Sequence, residues 1–131
     1  KIARWDFIKL MTSFMAVAEP MKCQFTILNH GDTWLNNMLF KADENENTID
    51  VKFVDYQLSF WGSPSFDLSY FFLTSIKDDT KIEHFDDFIL HYHNELTAAL
   101  KALNYEKHGP TLSELHIDLI EKGSSCKEQS D

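Results

Sequence analysis

The run His30-Gly31-Asp32-Thr33-Trp34-Leu35-Asn36-Asn37 decides how the rest of this chain is read. It follows a largely apolar stretch, Phe25-Thr26-Ile27-Leu28, and leads directly into another, Met38-Leu39-Phe40. Within it, Asp32 and Asn37 stand five positions apart. A third oxygen-bearing side chain, Asp55, closes the next apolar run, Val51-Lys52-Phe53-Val54. Loops at the ends of buried strands are where a fold holds reactive side chains on a rigid support. Three such groups, each at the end of a strand-like run, carry far more weight than any one alone.

Working outward, Met38–Lys41 and Ile49–Val54 read as strands. Between them lies the polar turn Ala42-Asp43-Glu44-Asn45-Glu46-Asn47-Thr48, so the two are expected to form a hairpin. Centring the turn near Glu46 pairs Met38 with Val54 and Phe40 with Lys52, and sets Asn37 opposite Asp55. Directly opposed residues on antiparallel strands have Cβ atoms ~4.5–5.5 Å apart. Two oxygen ligands at one point suit magnesium, whose bonds are ~2.0–2.1 Å. Taken singly, Asn37 and Asp55 read better as ordinary strand-end polar residues; taken with Asp32, the metal reading is favoured.

Upstream, residues 2–18 carry Ile2, Trp5, Ile8 or Lys9, Met11 or Thr12, and Met15 at helical spacing, and Glu19-Pro20 ends that helix. Downstream, Tyr56–Trp61 reads as a link. Ser63 is a candidate N-cap with Pro64 at the first helical position. The helix Phe66–Ile76 is almost wholly apolar and is expected to be buried. Asp67 interrupts it, either as a first-turn acid favoured by the helix dipole or as a structural acid accepting backbone N–H groups from the loop; both can hold at once.

Thr80–Tyr105 is the longest helix, with Ile82, Phe85, Ile89, Tyr92, Leu96, Ala99 and Leu103 stepping by threes and fours along one core face. The same spacing permits a coiled coil, but the aromatics fit a core better. His84, Asp87 and His91 share a face without a third strong ligand, so a solvated helix pair is the preferred reading over a metal site. His91 and His93 point apart. His108-Gly109-Pro110 stops the helix, and Thr111 with Glu114 forms a capping box for a last helix, Leu112–Lys122. Residues 123–131, polar and Ser-rich, are expected to be disordered.

The chain has 131 residues, 44% of them hydrophobic, with eleven Phe, enough for one small domain with a core. A net charge of −9 argues against a nucleic-acid or anionic-membrane surface, either of which needs a basic patch. Two cysteines do not make a disulfide framework, and no apolar run is long enough to span a bilayer, so a reducing, cytoplasmic setting is the expectation.

An Asp followed five positions later by an Asn is the spacing of a kinase catalytic loop, where the Asp receives the proton of the attacking hydroxyl and the Asn holds magnesium. A second metal-binding acid follows a strand later, as Asp55 does here. With Asn29 through Phe40, then Phe53-Val54-Asp55-Tyr56-Gln57-Leu58-Ser59 and Gly62 through Phe71, the chain resembles the ecdysteroid kinase-like (CHK kinase-like) family, found largely in insects and other invertebrates and grouped with choline kinases and aminoglycoside phosphotransferases. The resemblance runs from about Phe25 to Leu115. It implies an α+β fold, the mostly helical C-terminal lobe of a protein-kinase-like structure with a small β-hairpin carrying the site. It further implies ATP and Mg2+ as cofactors, Asp32 as catalytic base, Asn37 and Asp55 as magnesium ligands, His30 bracing the loop, and Asp67 tying the loop backbone down. The acceptor implied is a hydroxyl of a small molecule, an ecdysteroid or other small alcohol. Gln57 stands where protein kinases have the Gly of Asp-Phe-Gly, which speaks against activation-loop switching.

No Gly-rich loop and no strand Lys for the nucleotide occurs in the chain. Residues 1–122 are therefore expected to be a partial domain, the nucleotide-covering lobe lying upstream of Lys1 and the cofactor-binding residues with it, and the piece alone is expected to be inactive. The alternative is a truncated, non-catalytic kinase-like protein that binds a ligand or partner. A metal-dependent hydrolase using the same carboxylates is disfavoured, since two-metal sites usually show more His and Asp ligands.

Overall fold

A computed structural model describes residues 25–125. The helix expected over residues 2–18 and the tail beyond residue 125 lie outside the described residues. In chain order the elements are β1 (Ile27–Asn29), β2 (Met38–Ala42), β3 (Thr48–Phe53), β4 (Phe60–Gly62), α1 (Ser65–Ser75), α2 (Asp78–Ala102) and α3 (Leu112–Ser125). Short 3-10 turns at Leu35–Asn37 and Tyr56–Leu58 lead into β2 and β4. Among the described residues the fold is thus mixed α+β, with two small antiparallel sheets and three helices.

The expected hairpin forms, but its register differs by one residue. Met38 pairs with Phe53, Phe40 with Val51 and Lys41 with Asp50. The Asp43 carboxylate accepts the N–H groups of Asn45 and Asn47, and Glu46 takes a positive φ of 65° to close the turn. These bonds and the Asn47 amide hold the Asp43 carboxyl below the usual range. The turn therefore pairs Ala42 with Thr48, and an irregularity at Lys41/Ala42 sets the final register. A slip of one residue moves a strand's side chains to the opposite face. Val54, not Asp55, consequently stands opposite Asn37, its N–H donating to the Asn37 carbonyl at 3.0 Å.

The segment read as a link contains a strand. β4 pairs antiparallel with β1, Leu28 opposite Trp61 and Asn29 opposite Phe60. At three residues it is too short for alternation to show in the sequence.

The core lies among the helices. Phe72 of α1, Ile89 of α2, and Leu115 and Leu119 of α3 are buried, with Leu68, Ile76, Phe85, Phe88, Tyr92 and Leu112 packed around them. Each fully buried side chain contributes roughly 1.5–3 kcal/mol. α1 is less buried than its composition suggests: Leu73 is exposed, because α2 and α3 cover only one of its faces. α2 starts two residues before the expected Thr80 and ends at Ala102, where Asn104 turns left-handed (φ 52°) and Tyr105 N–H bonds back to the Leu100 carbonyl. Non-helical angles at His84 break the stripe, so Ile82 is exposed, and Leu103 falls past the helix end. α3 begins with the expected capping box. Glu114 accepts the Thr111 N–H at 2.7 Å, and Thr111 Oγ1 accepts the Glu114 N–H at 3.2 Å. The helix then continues through Gly123 to Ser125, beyond the expected end at Lys122.

α1 is fastened at its N-terminus. Ser63 Oγ accepts the Ser65 N–H at 3.1 Å, and the hydroxyls of Ser63 and Ser65, both buried, donate to the Asp118 carboxylate on α3. This joint matters because α1 carries the residues that shape the loop before β2.

Candidate active site

The loop from His30 to Asn37 runs between β1 and β2, and four separate contacts fix it. The first comes from Asp67 in the opening turn of α1. Its Oδ2 accepts the His30 N–H at 2.6 Å and its Oδ1 the Gly31 N–H at 2.9 Å. One carboxylate thereby satisfies two backbone donors that burial would otherwise leave orphaned. The Thr33 hydroxyl adds a bond to the Asp67 carbonyl at 2.9 Å. On the other side, burial and then the Asp67 charge push the Tyr92 phenol up to about 12.

The second contact is His30. Its ring is buried, packed against Tyr56 (centroids 4.6 Å) and Phe53 (5.7 Å). Nδ1 accepts the Asp32 N–H at 3.3 Å, and Nε2 lies 3.0 Å from the Val54 carbonyl. A neutral ring protonated on Nε2 satisfies both bonds. It links the backbone of Asp32 to the residue just before Asp55.

The third is Gly31, with φ of 83°; a Cβ there would collide with the Leu58 carbonyl. Only glycine allows the turn after Asp55 to approach the loop so closely. The fourth is Asn37, buried at the loop's end. Its Nδ2 donates to the Asp32 carbonyl at 3.0 Å and to Asp32 Oδ2 at 2.8 Å. With both amide hydrogens committed, the Asn37 Oδ1 remains to accept a hydrogen bond or ligate a cation.

Asp32 itself is half-buried, its carboxylate held at both oxygens: Oδ2 by Asn37 and Oδ1 by the Tyr70 hydroxyl at 3.1 Å. Sequence reading missed Tyr70, although its place one helical turn after Asp67 puts the two on one face of α1. Burial, the Asp32 charge and this hydrogen bond hold the Tyr70 phenol far above its ordinary range, so it remains a donor at neutral pH.

Asp55 follows the Val54–Asn37 pair in a left-handed conformation (φ 68°, ψ 64°) and is exposed, with Gln57 Nε2 3.4 Å from its Oδ2. Non-glycine residues held there cost about 1–3 kcal/mol and cluster at functional sites. The one-residue slip removes the expected direct opposition of Asn37 and Asp55.

Among the described residues, no ion pair involves Asp32, Asp55 or Asp67. Nor does any group of three or more His, Cys, Asp or Glu gather at metal-binding separation. His84 pairs with Asp87 at 3.2 Å on the exposed face of α2, the solvated arrangement preferred from sequence. Asn37 and Asp55 offer oxygen donors of the kind a hard divalent ion such as magnesium prefers, although the register no longer sets them directly opposite each other.

A carboxylate held at both oxygens on a clamped loop is an arrangement that phosphoryl-transfer enzymes use to position an acceptor hydroxyl. The sequence pattern of the ecdysteroid kinase-like family matches residues 4–105, and the chain belongs to that family. The match takes in the loop, both small sheets, α1 and all of α2. No curated protein and no solved structure matches the chain. No helix among the described residues is long and apolar enough to cross a membrane.

Proposed function

We propose that this chain supplies the acceptor-side half of an ATP-dependent phosphotransferase acting on a hydroxyl of a small alcohol, ecdysteroid-like in class. In this reading the described fold is the C-terminal lobe of a protein-kinase-like structure. The observation that carries it is the Asp32 carboxylate held at both oxygens on a loop pinned by Asp67. Phosphoryl transfer asks mainly for positioning and charge stabilisation, and a general base contributes by orienting the hydroxyl and taking its proton. Asp32 is held for that role. Asn37 and Asp55 would hold magnesium against the ATP phosphates, and the ion would neutralise phosphate charge. The net charge of −9 supports a small neutral acceptor rather than a nucleic acid. A cytoplasmic setting, where ATP is available as donor, belongs to the same proposal.

The reading is tested in the full-length protein by following magnesium-dependent phosphorylation of a panel of sterol and other small alcohols. Asp55→Asn keeps the side-chain shape but removes a charged oxygen ligand, and it should raise the magnesium concentration needed for half-maximal rate by about tenfold or more. Asn37→Ala should weaken magnesium use less. Unchanged magnesium dependence in Asp55→Asn would remove the metal role.

A further inference from the structure

Two side chains of α1, one turn apart, touch the loop. Asp67 takes the N–H groups of His30 and Gly31, and Tyr70 reaches the Asp32 carboxylate. Residues three apart on a helix present side chains side by side, with Cβ atoms about 5–6 Å apart. Asp32 lies just after the backbone groups that Asp67 holds, so α1 shapes first the path of the loop and then the orientation of the acid it carries. The terminal torsion of an Asp is broad and roughly two-fold, so one hydrogen bond does not fix the carboxylate plane. Asn37 holds Oδ2 at 2.8 Å. The second point is the Tyr70 hydroxyl on Oδ1 at 3.1 Å. A phenol suits this because its ring has only two side-chain torsions and α1 is fastened at its base to Asp118.

We infer that Tyr70 is a positioning residue for phosphoryl transfer, its hydroxyl locking the carboxylate of Asp32 in the orientation that receives the acceptor's proton. The inference rests on the phosphotransferase reading above and deepens it. Tyr70 acts through Asp32 and takes no proton itself. Small misplacements of a reacting group are costly, with errors near 1 Å lowering rates by up to about a hundredfold.

The test is a kinetic cycle in the full-length protein with wild type, Tyr70→Phe, Asp32→Asn and the double variant. Tyr70→Phe keeps the ring and its packing. It should lower kcat by about tenfold, leave KM for ATP within about twofold, and barely move the melting temperature. In the Asp32→Asn background the same change should cost nothing further, because the group it orients is gone. Wild-type kcat in Tyr70→Phe, or an equal loss in both backgrounds, overturns the inference while leaving the phosphotransferase reading standing. A wild type without phosphotransfer on any alcohol in the panel overturns both. A readout independent of turnover is the 13Cζ resonance of Tyr70 at neutral pH. It should shift in Asp32→Asn, and an unchanged resonance shows that the contact does not form.

Discussion

At the scale of single residues, the loop is a problem in satisfying backbone donors. The N–H groups of His30 and Gly31 both bond to the Asp67 carboxylate and would be orphaned without it. Asp67→Ala should therefore destabilise the protein by about 2–4 kcal/mol, read as a drop in denaturant midpoint. The Thr33 bond to the Asp67 backbone carbonyl survives that change, so the loss reports the carboxylate alone. An unchanged midpoint would mean that water replaces Asp67 freely. Asp67 was open to two readings in the sequence, and both describe it: it lies in the first turn of α1 and it holds the loop. Tyr70 was not legible, because nothing in an apolar run such as Leu68-Ser69-Tyr70-Phe71-Phe72 marks which aromatic turns its polar end toward a loop.

At the scale of elements, local rules succeed where the bonds are local and fail where a turn decides. The Thr111–Glu114 box is legible because both partners lie within four residues. Bonds from the Thr111 N–H and hydroxyl hold the Glu114 carboxyl below its ordinary range. A depressed folded-state value means that the contribution to stability is present above the unfolded value of 4.5 and is lost as pH falls through the folded one. Glu114→Gln should thus lower the melting temperature at pH 7, and the gap to wild type should close as pH falls below 4.5 and through the lowered folded value. A gap that is constant with pH would remove the charge from the cap. The hairpin register was not legible to better than one residue. Its turn is set by Asp43 bonding to Asn45 and Asn47 and by Glu46 at positive φ, and no pattern in Ile49–Val54 distinguishes neighbouring registers. Ile49, Val51 and Phe53 on one face and Asp50 and Lys52 on the other are all exposed, so burial does not choose between them. β4 was missed for a different reason: a three-residue strand gains its identity from its partner β1.

At the scale of the molecule, a small helical core around Phe72, Ile89, Leu115 and Leu119 supports a site built from segments far apart in sequence. Asp118 fastens α1, α1 holds the loop, and His30 ties the loop to the Val54–Asp55 corner. The mixed α+β class and the family were legible because Asp32, Asn37 and Asp55 stand in order at strand ends. The connections between helices and loop were not, since they depend on three-dimensional approach. The most direct measurement is turnover and melting temperature on one preparation of Asp32→Asn in the full-length protein. A base held for proton transfer contributes typically ~10²–10⁴-fold. Turnover should fall by about that factor, with ATP affinity and melting temperature close to wild type. Near-wild-type turnover with a lowered melting temperature would contradict it, and would make Asp32 a loop-capping acid and not the base of the reaction.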